Sequence, residues 1–219
     1  MKVLIISDLH LTKTVNLKKL KFLKELFGSV DKVIINGDFW DSLFLEFDDF
    51  INSEWKELFP ILKKKKTIYL YGNHDRKEAC DSRVFLFSVR QANQLRWSIK
   101  DRTLLIKHGH DFDLLFTRIV RKLKISHLFL RAYHYFEDLA VKVFGPSFIS
   151  WCHKYYNKEI KDIIKNKLGD NEILICGHTH SVDFDLANKY INIGFTNYGV
   201  AQYLLIEDNN LPRAIIDYY

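Results

Sequence analysis

Short apolar runs ending in polar residues recur along the chain. Lys2–Ser7, Asp31–Asn36 and Thr67–Tyr71 each carry a block of Val, Ile, Leu or Tyr that gives way to Asp, Gly or Asn. Uninterrupted blocks of this length predict strands buried on both faces. Between the first two, Asn16–Phe27 has Leu and Phe at helical spacing and stops near Gly28, which suits a helix end. A mixed helical stretch follows Gly37-Asp38 to about Phe59, where Pro60 is expected to break it. Leu95–Ile99 and Arg102–Lys107 predict a hairpin around Lys100-Asp101. Glu172–Cys176, Val182–Leu186, Tyr190–Ile193, Gln202–Ile206 and Ala214–Tyr218 predict further short strands.

One stretch interrupts this rhythm. From Asp111 to about Gly169, apolar residues fall at helical spacing: Leu114, Leu115, Ile119 and Leu123, then Leu128, Phe129, Tyr133, Phe136, Leu139, Ala140 and Val143. Gly145-Pro146 divides the stretch, so two or three helices are expected there. The alternation elsewhere predicts a layered α/β fold with a sheet core and helices on its faces. The expected organisation is one domain over residues 1–219 with a helical, cap-like insertion at about 111–169.

Charge singles out the same stretch. Leu114–Leu168 holds 11 Lys/Arg against 4 Asp/Glu, whereas the remainder holds 22 against 23. The net charge of +6 therefore belongs to the insertion, the expected place of contact with a polyanion or an anionic membrane surface. At 47% hydrophobic residues over 219 positions the chain can bury a core, which excludes global disorder. The N-terminal apolar run is too short for a signal-peptide core, and no stretch reaches the roughly 18 apolar residues of a spanning helix. Cys80, Cys152 and Cys176 are odd in number and lack metal-type spacing, so reduced thiols in the cytoplasm are expected.

The strand ends carry the chemistry. After the first predicted strand come Asp8 and His10, after the second Asp38 and Asp41, after the third Asn73 and His74. The hairpin strand is followed by His108 and His110, and Glu172–Cys176 by His178 and His180. Singly, each residue is explained by a cap, a turn or a satisfied histidine. Five successive strand ends carrying carboxylate, imidazole or carboxamide are not. Ligands of α/β sheets gather outside the carboxyl ends of strands. In extended chain, residues i and i+2 point the same way, so Asp8 with His10, and His178 with His180, can each reach one ion. Oxygen and nitrogen donors without thiolate favour Mn, Fe or Zn. The donors exceed what one ion takes up, and two ions sharing a carboxylate is the economical arrangement.

DxH, GDxxD, GNHD, a GH-containing strand end and GHTH, in this order over residues 8–180, resemble the calcineurin-like metallophosphoesterase family. The resemblance implies an αββα sandwich with a dimetal site at the strand ends. It implies that Asp8, His10 and His180 bind one divalent ion, most often Mn, and that Asn73, His108 and His178 bind the other, with Asp38 bridging. It also implies that His74 is not a ligand but stabilises phosphoryl charge and protonates the leaving oxygen, with Asp41 orienting its ring. His110 is then left behind the ligands.

The insertion's position and the stretch "GDFWDSLFLEFDD" are similar to the UDP-2,3-diacylglucosamine hydrolases, which cut a pyrophosphate in lipid A synthesis. That subgroup has GNRD where this chain has GNHD, as in the wider family. The resemblance implies a phosphoester or pyrophosphate substrate and a protein lying in the cytoplasm or at the inner face of the membrane. Two further functions use this fold. A nuclease or cyclic-nucleotide phosphodiesterase would set the basic insertion against phosphates. A non-catalytic scaffold would lack the catalytic histidine, whereas His74 is present here.

Overall fold

A computed structural model of the chain describes residues 1–112 and 127–219. Leu114, Leu115, Ile119 and Leu123 of the expected insertion, and its basic residues Arg118, Arg121, Lys122 and Lys124, lie outside the described residues. So do the side chains of Leu128, Phe129 and Tyr133.

Two sheets stack face to face. The first contains β1 (Lys2–Ile6), β2 (Lys32–Asn36), β3 (Ile68–Leu70) and β4 (Arg90–Ala92), which run parallel. Antiparallel β11 (Val200–Glu207) flanks β1, and β12 (Arg213–Tyr218) and the short β10 (Thr196–Asn197) pair with β11. The second sheet runs β5 (Gln94–Ile99), β6 (Arg102–Lys107), β7 (Glu172–Cys176), β9 (Tyr190–Asn192) and β8 (Asp183–Asp185). The expected hairpin is β5–β6, with Ile99 opposite Arg102 and Lys100 at φ 49° in the turn.

Strand pleating explains the apolar blocks. In β1, Val3 and Ile5 face the core between the sheets, where they meet Ile34, Leu104, Ile106 and Ile175. Leu4 and Ile6 point the other way, against Leu20, Leu23 and Phe27 of α1 (Leu17–Gly28). The outer face of the second sheet is covered through Leu174, Cys176 and Tyr190, which pack on Ile160 and Ile164 of the helical segment between β6 and β7. The layers are thus helix, sheet, sheet, helix.

The chain between β2 and β3 differs from expectation. It forms α2 (Phe47–Asn52), a 3₁₀ turn at Glu54–Leu58 and α3 (Phe59–Lys64). Pro60 lies in the first turn of α3 and opens this helix instead of ending one, because a first-turn residue has no intrahelical N–H bond to lose. In the insertion, α4 (His127–Phe144) and α5 (Ser147–Ile164) are separated by Gly145-Pro146. Among the described residues no helix is long and apolar enough to cross a membrane.

Candidate metal centre

The polar residues after β1, β2, β3, β6 and β7 converge at one edge of the sandwich. Backbone bonds tie the first two loops together: Asp8 N–H donates to the Gly37 carbonyl at 3.1 Å, and Leu9 and His10 N–H donate to the Asp38 carbonyl at 2.9 and 3.0 Å. Asp8, His10, Asp38, His178 and His180 all lie at left-handed φ, between 43° and 67°. Such conformations cost about 1–3 kcal/mol each and gather where a site over-determines them.

Four donor groups result among the described residues, one of them His10 with Asp41 and His74, and two contain the strand-end carboxylates Asp8 and Asp38. Asp8, His10 and His180 bring donor atoms within 4.8 Å of one another, and so do Asp38, His108 and His178. In the first, the Nε2 atoms of His10 and His180 are 3.1 Å apart, and His180 Nε2 is 3.2 Å from Asp8 Oδ1. In the second, His108 Nε2 lies 3.1 Å from both Asp38 Oδ2 and Asn73 Oδ1, while its Nδ1 donates to the Asn36 carbonyl at 2.9 Å. Asp38 also approaches the first group, with Oδ2 3.7 Å from His10 Nε2. The rings of His178 and His180 enter different groups, whereas Asp8 and His10, at similar left-handed φ, share one.

Asp41 links His10 to His74. Its Oδ2 meets His10 Nδ1 at 3.2 Å and its Oδ1 meets His74 Nδ1 at 2.9 Å. The His74 backbone N–H donates to Asp38 Oδ1 at 2.9 Å. His110 joins neither group. Its Nδ1 is buried and has no hydrogen-bond partner among the described residues.

Electrostatics separate the imidazoles. Burial works against charge on His74, but the Asp38 carboxylate and the bond to Asp41 prevail and lift it to about 9. The same opposition at His108 is won by Asp38 and Asp8, which lift it to about 10. Burial and the charge on His108 push His178 down to about 3. Burial also opposes charge on Asp38, yet the imidazoles of His108, His74 and His10 hold it well below the usual carboxylate range. Buried carboxylates facing converging nitrogens form a donor set suited to divalent ions, and cation binding there displaces protons from imidazole.

Two features carry the geometry. A Cβ on Gly72 would lie 2.1 Å from Asp38 Oδ1, and one on Gly177 would lie 2.1 Å from Asp8 Oδ2. Only glycine lets these backbones approach the carboxylates so closely. Asp75 is the other feature. Fully buried, it accepts from the N–H groups of Asp38 (3.0 Å), Phe39 (2.7 Å) and Gly72 (2.7 Å), joining the second strand end to the third. Burial and the neighbouring Asp38 charge push its carboxyl up to about 6, against the pull of its hydrogen bonds.

Sequence reasoning gave Asp75 no role, although it closes the GNHD motif. It also missed Glu137 and His153, which bring donor atoms within 4.8 Å of His180 from α4 and α5. No spacing rule connects residues on separate helices of an insertion to a strand-end motif.

A cleft of about 590 Å³ opens beside the first group, lined by Asp8, His10, His180, Lys142, Tyr135 and Phe195 among others.

The chain is similar to the phosphoesterase YfcE of E. coli, at 16% identity over 95% of this chain and 89% of that one, with a TM-score of 0.48. A variant of Vps29 from Entamoeba histolytica aligns at 17% identity over 100% and 99% of the two chains, with a TM-score of 0.45. The nuclease MPE of Pseudomonas putida aligns at 13% identity over 96% and 87%, with a TM-score of 0.38. No curated protein matches the sequence. The pattern of calcineurin-like phosphoesterases matches residues 1–182, which include every strand-end motif. The chain therefore belongs to the calcineurin-like phosphoesterase family, the metal-dependent hydrolases of phosphoesters.

Proposed function

We propose that this protein hydrolyses a phosphodiester or pyrophosphate at two divalent ions, preferably Mn, and that its substrate carries an apolar tail. Asp8, His10 and His180 would hold one ion, Asn73, His108 and His178 the other, and Asp38 both. Divalent ions in such a pair supply Lewis acidity toward the phosphoryl oxygens and lower the pKa of water. The remaining steps belong to side chains. Asp41 Oδ1 meets His74 Nδ1 and so fixes the ring. Water adds to phosphorus and gives up a proton to solvent, the bond to the leaving oxygen breaks, and that oxygen takes a proton from His74, which regains one from solvent.

One observation carries the substrate reading. The cleft beside the first donor group is flanked by Tyr135 of α4, and beyond it the insertion exposes Phe136, Leu139, Val143, Phe144 and Trp151. Phe144, Phe148 and Trp151 stack in sequence at 5.1 and 6.1 Å, with Lys154 Nζ 5.9 Å from the Trp151 ring. Aromatic residues beside lysines suit the boundary between lipid headgroups and acyl chains. A lipid-linked nucleotide such as UDP-2,3-diacylglucosamine fits this reading.

The test is a Mn²⁺-supplemented panel of bis-p-nitrophenyl phosphate, cyclic nucleotides, single-stranded DNA and UDP-2,3-diacylglucosamine, with and without anionic vesicles. The expected result is preference for the lipid-linked pyrophosphate. Preference for single-stranded DNA or a cyclic nucleotide would overturn the substrate reading, and failure to cut any phosphoester would overturn the catalytic one.

A further inference from the structure

We propose that the helical insertion binds a divalent cation of its own, through Glu137 and His153 acting with His180. This rests on the reading of the strand-end cluster as a metal centre. Neither Glu137 nor His153 belongs to a family motif, and they come from different helices, α4 and α5. Yet a carboxylate oxygen of Glu137 and ring nitrogens of His153 and His180 lie within 4.8 Å of one another. The His153 and His180 rings are 6.1 Å apart between centroids. Glu137 is buried, at 8% exposure, and lines the same cleft as His180, Asp8 and His10.

This placement is built into the fold. The loop carrying His178 and His180 is fastened to α5 by hydrogen bonds, four of which follow. Ser150 Oγ donates to the His180 carbonyl at 3.2 Å, and Ser181 Oγ donates back to the Ser150 carbonyl at 2.9 Å. Asn157 Nδ2 donates to the Ser181 carbonyl at 2.7 Å, and Asn157 Oδ1 accepts from Thr179 Oγ1 at 2.8 Å. Asn157 Oδ1 also accepts from Tyr190 Oη at 2.8 Å, which pins the helix to β9. Asn157, Thr179 and Ser181 are all buried. The helix that presents His153 is thus locked to the loop that presents His180, and the two rings keep their relation without help from an ion.

The donor chemistry names the ligand class. One carboxylate and two imidazoles form a set that suits Zn, Mn or Fe and offers nothing to an anion. Sharing His180 makes this group adjoin the Asp8–His10–His180 group, and since a neutral imidazole has one lone pair free for a metal, both cations are held together only with His180 as an imidazolate, its proton released. The insertion then adds a cation at the cleft side of the centre.

The experiment is calorimetric titration of chelator-stripped full-length protein with Mn²⁺ and with Zn²⁺, read alongside bound metal after dialysis. Glu137→Gln and His153→Gln each remove a direct ligand and should weaken one binding event by more than about 100-fold, beyond the roughly 10–100-fold range for groups that only support a ligand. Binding assigned to Asp38, His108 and His178 should stay unchanged. Isotherms that superimpose on wild type would overturn the proposal. So would loss of every ion together with a lower Tm of the stripped variants, since the insertion would then act through folding alone. An Asp8→Asn or Asp38→Asn variant that bound metal like wild type would instead sink the underlying reading of the centre.

Discussion

Adding a single carbon at Gly72 tests the geometry without touching any ligand. The Cβ of Gly72→Ala would lie 2.1 Å from Asp38 Oδ1 and 2.5 Å from the Asp38 backbone nitrogen. Ordinary contact begins at about 3.4 Å, so the carboxylate must retreat by more than about 1 Å, and the backbone nitrogen by somewhat less. Neither can do so freely, because Asp75 ties the N–H groups of Gly72 and Asp38 to one carboxylate oxygen at 2.7 and 3.0 Å. Overpacking of this kind costs about 1–3 kcal/mol of stability. The functional cost is of the same order. Metal sites tolerate about 0.2 Å in ligand distance, and a misplacement of about 1 Å costs on the order of 10²-fold in rate. Gly72→Ala should therefore lose at least one ion and about 100-fold or more in kcat on bis-p-nitrophenyl phosphate. Gly28→Ala is the control, since its Cβ meets nothing within 4 Å, and it should keep wild-type activity. Mn²⁺ content by mass spectrometry, turnover and thermal melts provide the readouts. A Gly72→Ala enzyme with full metal content and wild-type turnover would refute the reasoning.

Asp75→Asn leaves three backbone N–H groups sharing one carbonyl oxygen, and stranding a buried donor costs about 1–3 kcal/mol; urea melts should register that loss, and a change under about 0.5 kcal/mol would contradict it. His74→Ala should lower turnover by on the order of 10²–10⁴ while leaving metal content intact, whereas loss of metal would make His74 a ligand. Lys19 is buried, donates to the Leu9 carbonyl and to Asn197, and is pushed down to about 7 by burial. Its folded pKa lies below its unfolded value of 10.5, so the unfolded chain binds the extra proton between those values and stability rises with pH from about 7 to 10.5. Lys19→Met should flatten that rise in Tm, and an unchanged slope would contradict the assignment.

The strand ends were legible because the strands before them are buried on both faces, which leaves apolar blocks and abrupt polar endings. Val3–Ile6 and Val33–Ile35 have no exposed face to blur the signal. β4 was invisible: Arg90-Gln91-Ala92 is a short polar edge segment with no apolar run. β10 is two residues long, too short for any periodicity. Pro60 misled because proline marks a helix start as readily as a stop. At the strand ends the i, i+2 rule assumed extended backbone where the chain is left-handed, and it holds for Asp8 with His10 but not for His178 with His180. The attachment of the insertion through Ser150, His153 and Asn157 has no local pattern to read, since it joins positions roughly 20 to 30 residues apart across a helix and a loop.

The central claim is a pair of divalent ions sharing Asp38. Anomalous scattering from crystals of protein loaded with Mn²⁺, measured for wild type and Asp38→Asn, tests it most directly. A shared pair gives two peaks about 3.5–4 Å apart flanking the Asp38 carboxylate in the wild type, with at least one lost in the variant. A single peak held by four ligands, or two peaks away from Asp38 that persist in the variant, would contradict it.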